Sequence, residues 1–376
     1  MKHIKTLSII LTLLFAYSCE GPDKVSSSSP NDVYIPNYAK FFQIEYFNDY
    51  KKISILNPWE NEDLNINYYL TQKDDLNLKS DQRNFVLTYQ PNKTIALSSP
   101  MVGLLNILDL DSTIIGVSDP ELIYNQEIFE KIEEGKISNV GRSISVNMET
   151  IISLSADLIV GSGWDKLSPD FERMIQLNQT PLLMYDWQEI HPLGKAEWMV
   201  LLAAFFDMED LAIKKFRGVE TRYQKLKQSA HYDKQPTIFN GSEYQGIWYS
   251  AGGQSYMSQL YRDAGAKYIM RNDSSTGSVM LDFEIIMSKA ENADIWMYTG
   301  STDPGHLSLF KNPKYQSIAA VKNHMVFSYH NRINERRANE YWETASYNPD
   351  VVLKDLIKIF HDSGPKNLYY FDQLSY

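Results

Sequence analysis

An α/β fold of two similar lobes, each built on a central parallel sheet, is predicted by three features of this 376-residue sequence. The first is a unit written twice. Asn147 to Val160 runs from a polar turn with Glu149, through an amphipathic patch, into Ala156-Asp157 and the apolar run Leu158-Ile159-Val160. Leu281 to Met297 repeats that order, with Glu284, Ala293-Asp294 and Ile295-Trp296-Met297. Each copy reads as a short helix feeding a strand, with its glutamate in the first helical turn, where the helix dipole favours a carboxylate. The second feature is the alternation of apolar strand-like runs with helical patterns on both sides of the chain's middle, the signature of parallel sheets covered by helices. The third is a proline-free stretch between Pro192 and Pro236 in which Ala212, Phe216, Val219, Tyr223 and Leu226 form one narrow apolar stripe. A helix there, roughly 33 Å long, predicts a strut between the lobes, and two lobes so joined bind in the cleft between them.

The N-terminal end comes first. Lys2 and Lys5 precede an apolar run from Leu7 to Ala16, followed by Tyr17-Ser18-Cys19, the layout of a secretory signal over residues 1–18. That run is too short to span a bilayer comfortably. Cys19 is the only cysteine, so no internal disulfide is possible. Residues 19–37 hold Ser26-Ser27-Ser28-Ser29-Pro30-Asn31 and almost no large apolar side chain, which predicts a flexible tether. The rest is long enough for two domains with cores of their own.

The first lobe is expected over 38–209. It opens with a hairpin laid on the lobe, from the alternation in Phe41 to Tyr46 and Lys52 to Leu56 around Asn48-Asp49. Strands follow at Thr94–Leu97, Ile114–Val117, Leu158–Val160 and Leu182–Tyr185, with a helix at 101–108. The strut is expected over 210–230. The second lobe, 231–376, restarts with strands at Thr237–Asn240, Lys267–Met270, Ile295–Tyr298 and Met325–Ser328, and Gly252-Gly253-Gln254-Ser255 is read as a tight turn into a helix.

With 36 basic and 47 acidic residues the net charge is -11, which argues against nucleic acid as the main partner. Ligand contacts are expected on loops at the carboxyl ends of the strands. On the first lobe these are Ser99, Asp119, Tyr124, Arg142 and Trp164; on the second, Tyr244, Trp248, Tyr249, Gln254, Arg332 and Arg336. Arginines suit anionic oxygens and flat rings, and aromatic side chains suit a bulky ligand. The histidines are scattered, with no H-E-x-x-H and no cysteine pair, so direct metal binding is not expected. No G-x-S-x-G nucleophile elbow is present; an exported two-lobe enzyme acting on a tetrapyrrole is the alternative from a different class.

The chain resembles the substrate-binding lipoproteins of bacterial ABC importers for ferric siderophores, haem and cobalamin. The likeness runs from about Asn92 to His361 and includes Ile95-Ala96-Leu97-Ser98, Ile115-Gly116-Val117-Ser118, Asn139-Val140-Gly141, Asn147-Met148-Glu149 and Ala156-Asp157-Leu158-Ile159. His191 to Trp198 and Tyr341-Trp342-Glu343 look like the branch found in Bacteroidetes-type bacteria. Cys19 resembles the lipid-bearing cysteine of such lipoproteins. The resemblance implies two Rossmann-like lobes joined by one rigid helix, a periplasmic monomer lipid-anchored to a membrane of a Gram-negative bacterium, and no cofactor of its own. Its ligand would be a metal already chelated. A ferric siderophore comes first because the expected cleft is rich in arginine and tyrosine, then cobalamin, then haem. It also implies that Glu149 and Glu284, one on each lobe, dock on the two subunits of an inner-membrane ABC permease.

Overall fold

The computed structural model describes residues 29–56, 65–72, 84–88, 90–163, 168–230 and 232–376. The predicted signal, Cys19, the first part of the tether and Trp164 lie outside the described residues.

The first lobe has a parallel five-stranded sheet in the order Pro181–Met184, Leu158–Ser162, Thr94–Ala96, Ile114–Val117, Ser138–Asn139. The four predicted strands are there, and the two-residue strand Ser138–Asn139 is an addition that was too short to carry a periodic signal. Burial explains why the runs are continuously apolar rather than alternating: Leu158, Ile159 and Val160 are all fully buried between helix layers. The helix Met148–Leu154 precedes Leu158–Ser162 as expected, capped by Asn147, whose side chain accepts from the Thr150 N–H at 3.1 Å.

The predicted N-terminal hairpin is the centre of a larger sheet. Phe42–Tyr46 and Tyr50–Ile55 pair antiparallel across the Asn48-Asp49 turn, and Asp32–Tyr34, Ile66–Thr71 and Asn84–Thr88 extend them to five strands. Ile44, Ile53 and Tyr68 join the core of the first lobe, and the Tyr68 hydroxyl donates to the Pro181 carbonyl at 2.7 Å. The chain then enters the all-buried helix Pro192–Phe205, in which Glu197 and nearby Glu189 have no water to face. They turn to the N-terminal segment instead. Glu197 accepts from the Tyr34 hydroxyl and from the N–H groups of Asn37, Tyr38 and Ala39 at 2.8–3.0 Å. Glu189 accepts from the Lys40 and Phe41 N–H groups and from the Trp198 indole.

The strut runs Glu209–Ser229, burying Ala212, Phe216, Val219 and Tyr223 as its stripe predicted. It packs between the helix Pro192–Phe205 and the C-terminal helix Pro349–His361. The second lobe is a mixed sheet. Thr237–Tyr244 runs parallel to Lys267–Tyr268 and to Ile295–Tyr298, which is followed by Val326–Ser328. Asp372–Gln373 pairs antiparallel with Val326–Ser328 and was not predicted, nor were two further antiparallel strands, Ile247–Ala251 and Ser278–Asp282. These two continue from the far end of Thr237–Tyr244 past Gly241, whose φ of +110° and contact with the Tyr249 carbonyl suit only glycine. In Ser278–Asp282, Ser278, Met280 and Asp282 are exposed and Val279 and Leu281 only partly buried, so apolar residues lie on both faces and the alternation is not legible in the sequence. Trp248, Phe239 and Trp296 stack together in a second core behind this sheet.

Candidate functional site

A cavity of about 930 Å³ lies between the lobes. On the first lobe it is reached by the carboxyl ends of three neighbouring strands: Met101 beyond Thr94–Ala96, Ser162 at the end of Leu158–Ser162, and Asp186 and Trp187 beyond Pro181–Met184. On the second lobe Tyr298, Thr299 and Tyr329 follow the strand ends in the same way. Both sheets therefore direct their loops into one space. A third wall comes from the C-terminal segment, with Tyr341, Trp342 and Ser346.

The described lining contains seven tyrosines and two tryptophans, enough flat surface to hold a bulky ring system through its faces. Tyr244 and Trp342 are half or more exposed at the mouth, whereas Tyr261 and Tyr341 are buried at the back. Burial and the neighbouring phenols push the Tyr261 and Tyr341 hydroxyls well above the usual tyrosine range, so they stay protonated. The described lining holds one acid, Asp186, and one base, Lys195. Their charged atoms are 3.8 Å apart, and the Lys195 ammonium lies over the Tyr256 ring, 4.5 Å from its centroid. Burial opposes the Lys195 charge, but Tyr256 and Asp186 together outweigh it and its pKa lies above the ordinary lysine value. Burial also raises Asp186, and Lys195 offsets part of that rise.

The expected ligand residues separate into groups. Tyr244 and Tyr249 line the cavity. Trp248 does not: its indole donates to the Asn240 carbonyl at 3.0 Å inside the second core, because strand alternation turns it to the opposite face from Tyr249. Asp119 is spent on the neighbouring turn after Gly141, accepting from the Ser143 N–H at 2.7 Å and facing Arg142 at 3.6 Å, while Arg142 itself is exposed. Gln254 faces solvent. Ser99 lines a separate pocket of about 210 Å³ with His330, Arg337 and Trp342.

The arginines are also a correction. Arg332 pairs with Glu340 and lies over the Tyr369 ring at 4.5 Å, with Tyr124 close to that pair. Arg336 covers the Phe129 ring at 3.6 Å and donates to Gln126 and to the Ile123 carbonyl. Arg337 pairs with Asp303 at 2.7 Å. An acid or ring within reach of each long side chain takes it out of the cavity, so the described lining is tyrosine-rich without being arginine-rich. Asp186 and Trp187 could have been found by the carboxyl-end rule that suggested Asp119. Lys195 carried a quieter signal, a cation in the first turn of a helix, against the dipole.

Several of these contacts brace the lobes. Arg336 reaches from the C-terminal segment to first-lobe residues, and the Glu343 carboxylate accepts from the Tyr124 and Asn125 N–H groups at 2.7 and 3.1 Å. Beside it, the helix Ser99–Ile107 meets Glu340–Thr344 so closely that a Cβ on Gly103 would lie 2.0 Å from the Glu343 carbonyl oxygen. Burial lifts the Glu343 side chain to about 7, against its backbone donors. The folded protein then binds a proton there that the unfolded chain has released, so this contribution to stability is complete below about pH 4.5 and lost as pH rises through about 7. Glu343→Gln keeps a neutral group in place. Its stability relative to the wild type should therefore rise between pH 5 and pH 7.5 in urea melts, and a constant difference would show that Glu343 titrates normally.

The sequence profile for periplasmic binding proteins matches residues 96–333. An uncharacterized lipoprotein of Methanocaldococcus jannaschii is 27% identical, covering 92% of this chain and 87% of its own. A structure described as a possible iron-binding periplasmic solute-binding protein of Staphylococcus epidermidis superimposes with a TM-score of 0.56 at 19% identity, over 72% of this chain and 98% of that one. IsdE of Staphylococcus aureus, solved in complex with haem, gives 0.55 at 18% identity, over 72% and 99%. The likeness to these structures is one of fold. With the profile spanning more than half of the sequence, the chain belongs to the periplasmic binding protein family.

Proposed function

We propose that this protein is the substrate-binding lipoprotein of an ABC importer in a Bacteroidetes-type bacterium, capturing a chelated metal between its lobes and handing it to a permease dimer. The observation that carries the reading is the interlobe cavity of about 930 Å³ walled by tyrosine and tryptophan, a size and lining suited to a bulky ring-bearing ligand. Membership of a binding family weighs against the exported-enzyme alternative. A ferric siderophore leads as the ligand, ahead of cobalamin and haem. Because the described lining holds one base and one acid, a neutral or weakly anionic chelate fits it better than a highly charged ferric catecholate, which would bury several negative charges without partners. Lipidation at Cys19 is the proposed tether to the membrane, with the protein working as a periplasmic monomer.

Glu149 and Glu284 are the proposed docking residues. Both are exposed, each is the second residue of its helix, and neither has an ion pair among the described residues. Exposed aliphatic side chains lie near each in the chain: Ile144 and Ile152 on one lobe, Met280 and Ile285 on the other. An exposed acid without an ion pair, on a face that also carries exposed aliphatic side chains, suits a cationic socket on a partner. The double substitution Glu149→Ala, Glu284→Ala should reduce uptake by cells about 100-fold or more, from loss of two charge-assisted contacts, with ligand affinity unchanged. Full uptake by that variant would remove the docking assignment.

The ligand reading is tested by calorimetric titration of the full chain with four chelates: a ferric catecholate, a neutral ferric trihydroxamate, cobalamin and haemin. One-to-one binding of one chelate is the expected result. Heat-silent titrations with all four would overturn the metal-chelate reading.

A further inference from the structure

Among the described residues, Lys195 is a buried charge with little to satisfy it. It is nine-tenths buried in the first turn of the helix Pro192–Phe205, where a cation is opposed by the helix dipole as well as by desolvation. A side chain placed there only to fill space would be more stable as leucine or methionine. Among the described residues its nearest carboxylate is Asp186 at 3.8 Å, too long for a hydrogen bond, and its other partner is the face of Tyr256. Asp186 and Tyr256 therefore hold the charge without using up the three N–H donors of the ammonium. The residue lines the cavity, as do both of its supports.

We infer that Lys195, held by Asp186 and Tyr256, anchors one ionised oxygen of the ligand, so that the cargo is a bulky chelate carrying an accessible carboxylate, phenolate or phosphate oxygen. This rests on the chelate-binding reading above and narrows it. The described lining is otherwise phenols, hydroxyls, the Asn240 amide and apolar surface. An ionised oxygen on the ligand would complete the hydrogen bonding of the lysine, and the aromatic walls would take the rest of the molecule. Lys195 then sets both orientation and selectivity: a ligand lacking such an oxygen would displace water from the ammonium without replacing its hydrogen bonds.

The test uses the full chain and the chelate of the four-member panel that binds the wild type most tightly. Lys195→Met should weaken its binding by about 10- to 100-fold, the value of a hydrogen bond to a charged group. Lys195→Arg should restore most of it. Lys195→Met strands the buried Asp186, so the double variant Asp186→Asn, Lys195→Met is measured beside it; the loss must persist there, where no charge is left unpaired. The inference is overturned if Lys195→Met binds as the wild type does, if the double variant recovers wild-type affinity, or if the neutral trihydroxamate is the preferred ligand. Failure of the wild type to bind any of the four overturns the chelate reading and this inference with it, whereas binding that ignores Lys195 overturns the inference alone.

Discussion

Glu197→Ala is expected to destabilise the protein by about 3–5 kcal/mol, the larger of the stability effects anticipated. The carboxylate is fully buried and accepts from three successive N–H groups, those of Asn37, Tyr38 and Ala39, and from the Tyr34 hydroxyl. Alanine removes every one of those acceptors. The buried Ala39 N–H left without an acceptor costs about 1–3 kcal/mol, the partly buried Asn37, Tyr38 and Tyr34 donors add smaller amounts because water reaches them, and the vacated carboxylate volume adds its own cost. Glu189 continues the same arrangement with the Lys40 and Phe41 N–H groups. The pair tie the entering chain to the helix Pro192–Phe205 and so seat the N-terminal sheet on the first lobe. Urea melts should show the loss, and hydrogen exchange should place it: the amides of residues 37–41 should lose protection first, while those of the second-lobe strand Ile295–Tyr298 follow global unfolding. Glu197→Gln keeps the shape and one acceptor and should cost less than half as much. Wild-type stability in Glu197→Ala would mean that the N-terminal segment is not held by this carboxylate.

Gly103→Val should act on the lobes rather than on the chain's entrance. The space a side chain would need at Gly103 is occupied by the Glu343 backbone carbonyl, 2.0 Å from an ideal Cβ, with the Glu343 side chain at 3.0 Å. Backbone does not step aside as a rotamer does. The helices Ser99–Ile107 and Glu340–Thr344 must separate, at a cost of about 1–3 kcal/mol for overpacking, and the Glu343 contacts to Tyr124 and Asn125 are strained with them. Met101 and Tyr341 flank that contact in the sequence and both line the cavity, so ligand affinity should fall about tenfold in titration alongside the loss in thermal stability. Gly305→Ala is the matched control: nothing lies within 4 Å of its added Cβ, and neither quantity should change. If Gly103→Val binds and melts like the wild type, the two helices are not rigidly apposed.

The parallel strands, the strut and the repeated helix–strand unit were legible in the sequence, and the reason is local. A fully buried strand such as Leu158–Ser162 has to be apolar on both faces, and a helix lying on a core, such as Glu209–Ser229, has to repeat its apolar residues at helical spacing. Of the residues expected at the carboxyl ends of the strands, Tyr244 and Tyr249 line the interlobe cavity. What could not be read was the direction and the partner of each side chain. Trp248 and Tyr249 are neighbours in sequence and lie on opposite faces of one strand, one in the core and one at the cavity. Arg332 and Arg336 sit just beyond a strand end, yet Glu340 and the Phe129 ring take them. The partners of Lys195, Asp186 and Tyr256, are 9 residues before it and 61 after it. Periodicity and turn chemistry are properties of a short window and survive in one dimension. Whether a charge meets a carboxylate, a ring or an empty cavity depends on residues far apart in the chain, and tertiary structure alone decided it here.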